Sequence, residues 1–344
     1  MKFKFPLLSI FCFCLLGLTA GKVYAKDEGL RYILQKGAVR CGTDLSSKLL
    51  AWQDDTEEKN WHGFDVSICR AFSTAFFGHH RLIEMIDVPA DKVDEALNTG
   101  KIDIMLGQFP LTASTEVSIG SSEAGLLYYD RQMFAVKKIE DATSMAAYKG
   151  QKVCVVTGSD DADNVQTYSA RNSLDFKFLF FKNPDDAKRA FLLSRCEVFS
   201  GSEIYLRGLM KNFLDDKRFV LIPEVIALKP ARLFVKSDNN QLRILSKWII
   251  NALVLAEGRG ITAKTLPMFA SDTGTSVRNL LGIDEKLWRK FGLKPDWVAK
   301  FIADYGNYGD IYERNLGSES ELNIKRDENK LLEDGGLIRY NPFT

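Results

Sequence analysis

The sequence predicts an α/β protein built from two similar lobes. Apolar runs rich in β-branched residues alternate with helical patterns in the order βαβαβ over residues 38–107, and the same order begins again at residue 151. This alternation is typical of a parallel sheet covered by helices. A chain of 344 residues, 46% apolar and 26% charged, is long enough for two ordinary domains. We therefore expect two parallel-rich sheets, one in each lobe.

The first lobe is expected to contain three strands and two helices. The strands are predicted at 38–44, 81–88 and 101–107, and the helices at 65–77 and 90–99. Gly100 follows the second helix, where a glycine ends a helix in the left-handed conformation.

The second lobe repeats this order. Its strands are predicted at 151–158, 176–181 and 196–202, and its helices at 161–172, 203–214 and from Pro184 to about Arg195. Asn183 is expected to cap that last helix, with Pro184 in its first position. Two further extended runs follow, at 219–226 and 231–237.

A long amphipathic helix is predicted at 240–257, with an apolar stripe formed by Leu242, Leu245, Ile249, Leu253 and Ala256. If this helix packs back on the first lobe, the chain must cross between the lobes twice, near 129–135 and 227–233. Two α/β lobes joined by a double-crossover hinge form a clamp that closes on a small ligand. We expect the first lobe at 26–130, the second at 131–231, and the return to the first lobe, with a C-terminal helical extension, at 232–344.

The N-terminus is typical of a secretory signal peptide over residues 1–25. Lys2 and Lys4 precede an apolar run at 5–20, and Val23-Tyr24-Ala25 approximates the small-x-small cleavage pattern. The alternative is a membrane anchor, but the run is short for a spanning helix of about 20 residues. Cleavage after Ala25 would make the mature chain an exported protein.

Four cysteines remain after cleavage, and an even number in an exported chain suggests disulfides. Three pairings are possible. The lobe organisation favours Cys41–Cys69 with Cys154–Cys196, because each pair then stays within one lobe. Four buried free thiols are the alternative. Neither pair has metal-ligand spacing, so we expect no metal site. The charge is nearly balanced, which makes nucleic acid an unexpected partner.

Several ordered motifs resemble those of one family. Residues 61–66 read W-H-G-F-D-V, residues 96–103 read A-L-N-T-G-K-I-D, and 128–130 read Y-Y-D. The stretches L-K-P-D-W at 293–297 and G-N-Y-G-D-I-Y-E-R-N at 306–315 are the most specific. With the four cysteine positions, they make the chain resemble the periplasmic amino-acid-binding proteins of ABC importers (family 3 solute-binding proteins), in particular the general L-amino-acid-binding subfamily.

The resemblance implies a two-lobed periplasmic-binding-protein fold of type II. It also implies a monomer that binds a small polar solute, needs no cofactor, is not an enzyme and delivers its ligand to an inner-membrane ABC permease. GNYGDIYERN is expected to pack on the first lobe, away from the ligand.

The chain departs from the family at three ligand-binding places. Thr112 is kept, but Thr115 stands where the family has an arginine that pairs with the ligand α-carboxylate. Ser202 replaces an aspartate that holds the α-ammonium, and the adjacent Glu203 could substitute for it. At the head of a helix, Ser159 and Asp160 stand where the subfamily has threonines at an anion-friendly site. Asp160 could also be an ordinary capping residue. We therefore expect altered ligand choice.

Other residues are candidate contacts in a remodelled pocket. Asp44 ends the first strand at a position that often faces the ligand in this family. The remaining candidates are Trp52, Gln108, Phe109 and Arg232, the last of which could supply a relocated positive charge.

Two other functions remain open from sequence alone. A sensor or interaction protein on the same scaffold fits the altered residues. A dehydratase-like enzyme would need an acid or base in the cleft, and Asp160, Asp161 and Glu203 are the candidates.

Overall fold

The computed structural model describes Met1 and residues 28–45, 48–107, 120–211 and 218–344. The predicted signal peptide therefore lies, apart from Met1, outside the described residues. Ten strands and eleven α-helices are formed within these ranges, and no helix there is long and apolar enough to cross a membrane.

Eight strands form one mixed sheet. These strands are β1 Val39–Thr43, β4 Ile83–Asp87, β5 Ile104–Gly107, β6 Ser121–Lys137, β7 Lys152–Val156, β8 Lys177–Phe181, β9 Val198–Ser202 and β10 Phe219–Lys236. Their order in the sheet is β4-β1-β5-β10-β6-β9-β7-β8. At one end, β1 lies parallel to both β4 and β5, and at the other end, β7 lies parallel to β8 and β9. We call these ends, with their helices, the first half and the second half.

The two long strands β6 and β10 connect the halves and pair with each other antiparallel along their length. The register sets Tyr129 opposite Pro230 and Gln132 opposite Ala227, within the predicted crossings. The two extended runs expected at 219–226 and 231–237 are one strand, which pairs with β6 on both sides of a register irregularity between Ile222 and Ala227. The two expected sheets are consequently joined into one.

Helices cover both halves. Asn183 caps its helix as predicted, since its side chain accepts from Asp186 N–H at 2.9 Å. Gly100 has a φ of 68°, as expected for the residue that ends a helix. The α-helices are α1 Glu28–Lys36, α2 Phe64–Phe77, α3 Val93–Asn98, α4 Asp160–Arg171, α5 Pro184–Leu192, α6 Glu203–Lys211, α7 Asn240–Gly258, α8 Thr275–Leu281, α9 Lys286–Lys290, α10 Trp297–Tyr305 and α11 Tyr308–Asn315. A short antiparallel pair joins β2 Trp52–Gln53 to β3 Trp61–His62.

The largest apolar core belongs to the first half. The predicted stripe of α7 is buried there with residues of β1, α2 and the C-terminal helices. Tyr308, from the GNYGDIYERN motif, lies in the same core, and its hydroxyl donates to Leu127 O at 2.7 Å. The motif therefore packs on the first half. Smaller apolar clusters lie on the two faces of the second half.

Each half contains one disulfide. Cys41–Cys69 joins β1 to α2, and Cys154–Cys196 joins β7 to the turn before β9. This is the pairing that the lobe organisation favours. Bridges that close chain segments of 28 and 42 residues would each stabilise the fold by about 3–4 kcal/mol in the chain-entropy model.

Candidate functional site

A cavity of about 880 Å³ lies at the carboxyl ends of β7 and β9. Its walls are the N-terminal parts of α4 and α5, one side of α6, the crossing strand β10, and residues that follow β1 in the first half. Ligands of α/β proteins bind at the carboxyl ends of parallel strands. This cavity is therefore the candidate ligand site, and both halves contribute to it.

The start of α4 supplies a serine and an aspartate to the cavity. Ser159 Oγ caps the helix by accepting from Ala162 N–H at 3.2 Å and donates to Val156 O at 2.9 Å. Asp161 lines the cavity, and its carboxylate lies 2.5 Å from Lys229 Nζ on β10. Asp160 is exposed and is not among the lining residues. The helix start thus presents to the cavity a carboxylate that is paired with a lysine ammonium.

The start of α6 supplies Ser202, which lines the cavity and accepts from Tyr205 N–H at 3.3 Å. The neighbouring Glu203 is only 1% exposed and does not line the cavity. Its carboxylate lies 2.6 Å from Arg131 and 2.7 Å from Arg207. Two arginines thus hold Glu203, which leaves Ser202 as the residue of this pair that faces the ligand space.

Of the other candidates from the sequence, one lines the cavity, two lie outside its lining, and four lie outside the described residues. Asp44 lines the cavity from the end of β1. Trp52 is 39% exposed, stacks on His62 with ring centroids 4.7 Å apart and does not line the cavity. Arg232 pairs with Glu123 at 3.1 Å, also outside the cavity lining. The remaining four, Gln108, Phe109, Thr112 and Thr115, lie outside the described residues.

Lysines form much of the polar lining, and the sequence did not single them out. The lining includes Lys48, Lys188, Lys211 and Lys229, together with Asp44, Asp161 and Asp185. Lys229 had a usable signal, because it is a charged residue inside the predicted crossing at 227–233. The described lining residues include no arginine and no histidine, so its cations are ammonium groups.

Neighbouring groups and burial shift the pKa values of two lining side chains, Lys188 and Tyr205. The Asp185 carboxylate accepts a hydrogen bond from Lys188 at 2.5 Å and so raises the pKa of that ammonium. Burial raises the pKa of the Tyr205 hydroxyl, which keeps this lining residue a neutral donor. Within the described ranges, no cluster of His, Cys, Asp and Glu could hold a metal ion.

The comparisons with known proteins agree with this architecture, although no protein-family model matches the chain. The general L-amino acid-binding periplasmic protein AapJ of Rhizobium johnstonii is 30% identical over 94% of this chain and 95% of its own. The glutamate/glutamine/aspartate/asparagine-binding protein BztA of Rhodobacter capsulatus is 26% identical over 96% of both.

Among solved structures, a periplasmic binding protein of an ABC transporter from Brucella ovis, with glutathione bound, is similar at a TM-score of 0.79. It is 30% identical and covers 91% of this chain and 98% of its own. The putative amino-acid ABC transporter-binding protein YhdW of Escherichia coli is 28% identical over 90% of both chains. The chain belongs to the periplasmic amino-acid-binding proteins of ABC transporters, the family 3 solute-binding proteins with the two-lobed fold.

Proposed function

We propose that this protein is the monomeric ligand-binding component of an importer, that it closes on a small polar solute and that it delivers the solute to an inner-membrane ABC permease. The observation that carries the proposal is the cavity of about 880 Å³ lined by both halves. A ligand held between two halves stabilises their closed arrangement, because it contacts both of them only there. The predicted lobes at 26–130, 131–231 and 232–344 are the moving parts of this clamp.

We infer that the ligand is larger than one amino acid. Pockets for ligands of several hundred daltons have volumes of about 300–1,000 Å³, and this cavity falls in the upper part of that range. The Brucella ovis relative has glutathione, a tripeptide, in its structure. A solute of the glutathione class, with carboxylates separated by a peptide backbone, fits the size of the cavity and the lysines of its lining.

In this proposal, the positions that bind an α-amino acid in the family no longer do so in this chain. Thr115 lacks the arginine fork, Ser202 lacks the carboxylate, and Glu203 is held by arginines. We propose that the pair of Lys229 and Asp161 takes over part of this function. Lys229 has two ammonium protons beyond the one directed at Asp161, so it can bind a ligand carboxylate while it stays paired.

Thermal unfolding of the mature chain with glutathione, L-glutamate, L-arginine and L-alanine tests the proposal. At 100 times its dissociation constant, a bound ligand stabilises the fold by about 2.7 kcal/mol. We expect stabilisation by glutathione and none by the three amino acids. Strong stabilisation by any of the amino acids would contradict the altered site, and no stabilisation by any of the four would leave the glutathione class without support.

A gain-of-function variant tests the role of Thr115. Thr115→Arg restores the side chain that forms a bidentate pair with an α-carboxylate. We expect this variant to bind L-glutamate measurably in calorimetry, whereas Thr112→Arg, three residues earlier, should not. Equal behaviour of the two variants would show that position 115 has no special relation to the ligand.

A further inference from the structure

Strand β6 pairs with β10 along one edge, but its other edge has no strand partner among the described residues before Gln132, because β9 pairs with it only over Gln132–Val136. The side chain of Asn329 binds this backbone instead. Its Oδ1 accepts from Tyr129 N–H at 2.7 Å, and its Nδ2 donates to Tyr129 O at 2.8 Å. With the bond from Tyr308 to Leu127 O, C-terminal side chains satisfy backbone groups that a strand would otherwise pair.

The residues that bind β6 are fixed to the first half. Arg326 is bidentate to Glu257 near the end of α7, at 2.5 and 3.2 Å, and both side chains are largely buried. The same guanidinium donates to Asn329 O at 2.7 Å. Paired, buried, bidentate contacts of this kind hold their geometry well. The segment 326–329 is therefore a rigid extension of the first half.

Arg131 links this segment to the second half. Its guanidinium lies 2.6 Å from Glu203 of α6 on one side and 2.5 Å from Asp327 on the other, with Glu328 at 3.8 Å. Burial disfavours the charged form, but these carboxylates outweigh it and raise the pKa of Arg131. One buried cation thus joins a helix of the second half, the crossing strand and the C-terminal segment.

Helix α6 carries this network and the ligand cavity on different faces. Glu203 and Arg207, one turn apart, lie in the network. Tyr205 and Gly208 line the cavity. A rotation of α6 that separated Glu203 from Arg131 would also move the cavity lining. The network is intact in the arrangement in which both halves line the cavity, so it favours that arrangement over a more open one.

We propose that residues 326–329 form a hinge strap, and that Arg131 is a positioning residue through which the strap sets the open-closed equilibrium of the clamp. The strap concerns the protein without ligand and does not depend on which solute binds. Its test therefore uses no ligand, and a wrong ligand class leaves the result unaffected.

The test compares two aspartates of similar exposure whose arginine partners lie in different parts of the fold. Asp327 is 41% exposed and pairs with Arg131 in the strap, and Asp284 is 40% exposed and pairs with Arg278 at 2.6 Å within the first half. Asp327→Asn and Asp284→Asn are placed in a mature chain that carries nitroxide labels at Asp55→Cys and Lys182→Cys, one exposed position in each half. Double electron–electron resonance then gives the distance distribution between the halves.

We expect Asp327→Asn to raise the ratio of open to closed molecules about threefold to fivefold, which corresponds to the loss of about 1 kcal/mol. Asp284→Asn should leave the ratio unchanged. Unchanged ratios in both variants would overturn the proposal that the strap sets the open-closed equilibrium. Equal shifts in both variants would also overturn it, because loss of either ion pair would then act by general destabilisation.

Arg131→Lys provides a second measurement, because a lysine cannot reach Glu203 and Asp327 together with the same planar fork. It should shift the ratio in the same direction as Asp327→Asn, and a ratio like that of the unmodified chain would contradict the role of Arg131.

Discussion

The starts of α4 and α6 carry the same types of residue and use them in opposite ways. Each helix follows a strand that ends at the cavity, and each begins with a serine that accepts a helix N–H and is followed by an acidic residue. At α4, the carboxylate that matters is Asp161, which faces the cavity and pairs with Lys229. At α6, it is Glu203, which is buried behind the helix between two arginines.

The difference shows that a one-residue shift at a helix start decides whether a carboxylate faces the cavity or is buried in the fold. Successive helix positions are rotated by about 100°, so an acidic residue directly after the serine faces elsewhere than one that follows two positions later. Asp160 and Glu203 both occupy the first position, and neither lines the cavity. Of the acidic residues at these two helix starts, only Asp161, at the second position of α4, lines the cavity.

Removal of the buried carboxylate should produce the largest effect. Glu203→Ala leaves Arg131 and Arg207 without their shared partner, and breaking a buried ion pair costs about 3 kcal/mol. Asp160→Ala, at the equivalent position of α4, is exposed and should cost less than about 1 kcal/mol. Urea unfolding measures both, and similar costs would contradict the contrast between the two helix starts.

Loss of the ion pair between Lys229 and Asp161 in the cavity should affect ligand binding more than stability. Lys229→Met leaves Asp161 unpaired beside the ligand, so we expect the affinity for glutathione to fall at least about tenfold, as when one partner of a charge pair is removed. Lys236→Met is the control. Lys236 is the last residue of the same strand, β10, and its ammonium pairs with the carboxylate of Asp238. Calorimetry with glutathione gives both dissociation constants. An unchanged value for Lys229→Met would exclude this pair from the site.

A third helix start, that of α2, has a buried carboxylate, Asp65, that is paired with no cation among the described residues. Asp65 accepts from Thr43 Oγ1 at 2.5 Å, and burial raises its pKa to about 7, with the nearby Asp44 adding to the effect. The folded state therefore holds a proton that the unfolded chain releases near pH 4. The resulting stability is fully present below about pH 4 and is lost as the pH rises to about 7.

Asp65→Asn should remove this dependence on pH. In the unmodified chain, the group contributes a slope of up to about 1.4 kcal/mol per pH unit between about pH 4 and pH 7. The difference in unfolding free energy between the variant and the unmodified chain, measured in urea at pH 4.5, 6 and 7.5, isolates Asp65 from carboxylates whose pKa is lowered. A constant difference across these values would show that Asp65 is ionised in the fold.

Local patterns predicted most of the fold, whereas the site depended on contacts between distant residues. Strand and helix positions follow from periodicity, and the cap at Asn183 follows from its neighbours. The continuity of β10 does not follow from periodicity, because Pro223 and Glu224 interrupt the apolar pattern. The two parts of the strand are connected by their common pairing with β6 on both sides of this interruption. The sequence offers Glu203 only as a possible substitute for the lost aspartate, and its pairing with Arg131 is hidden because Arg131 lies 72 residues away and no local pattern indicates that pairing.

The smallest predicted effect concerns the contact between the halves beside α6. A Cβ on Gly208 would lie 2.6 Å from Leu49 Cδ2, and Leu49 follows β1 in the first half. Gly208→Ala improves helix propensity by about 1 kcal/mol, so it should not weaken α6 itself. It should instead push Leu49 away and lower the affinity for glutathione about fivefold, since the halves can no longer approach as closely.

The double variant Gly208→Ala with Leu49→Ala should bind glutathione as Leu49→Ala does, because the shortened side chain removes the clash. If Gly208→Ala weakens binding equally with and without Leu49, its effect arises within α6 rather than between the halves. Glu203, paired with Arg131 and Arg207, would then be the remaining evidence that one side of α6 supports the fold while the other side faces the cavity.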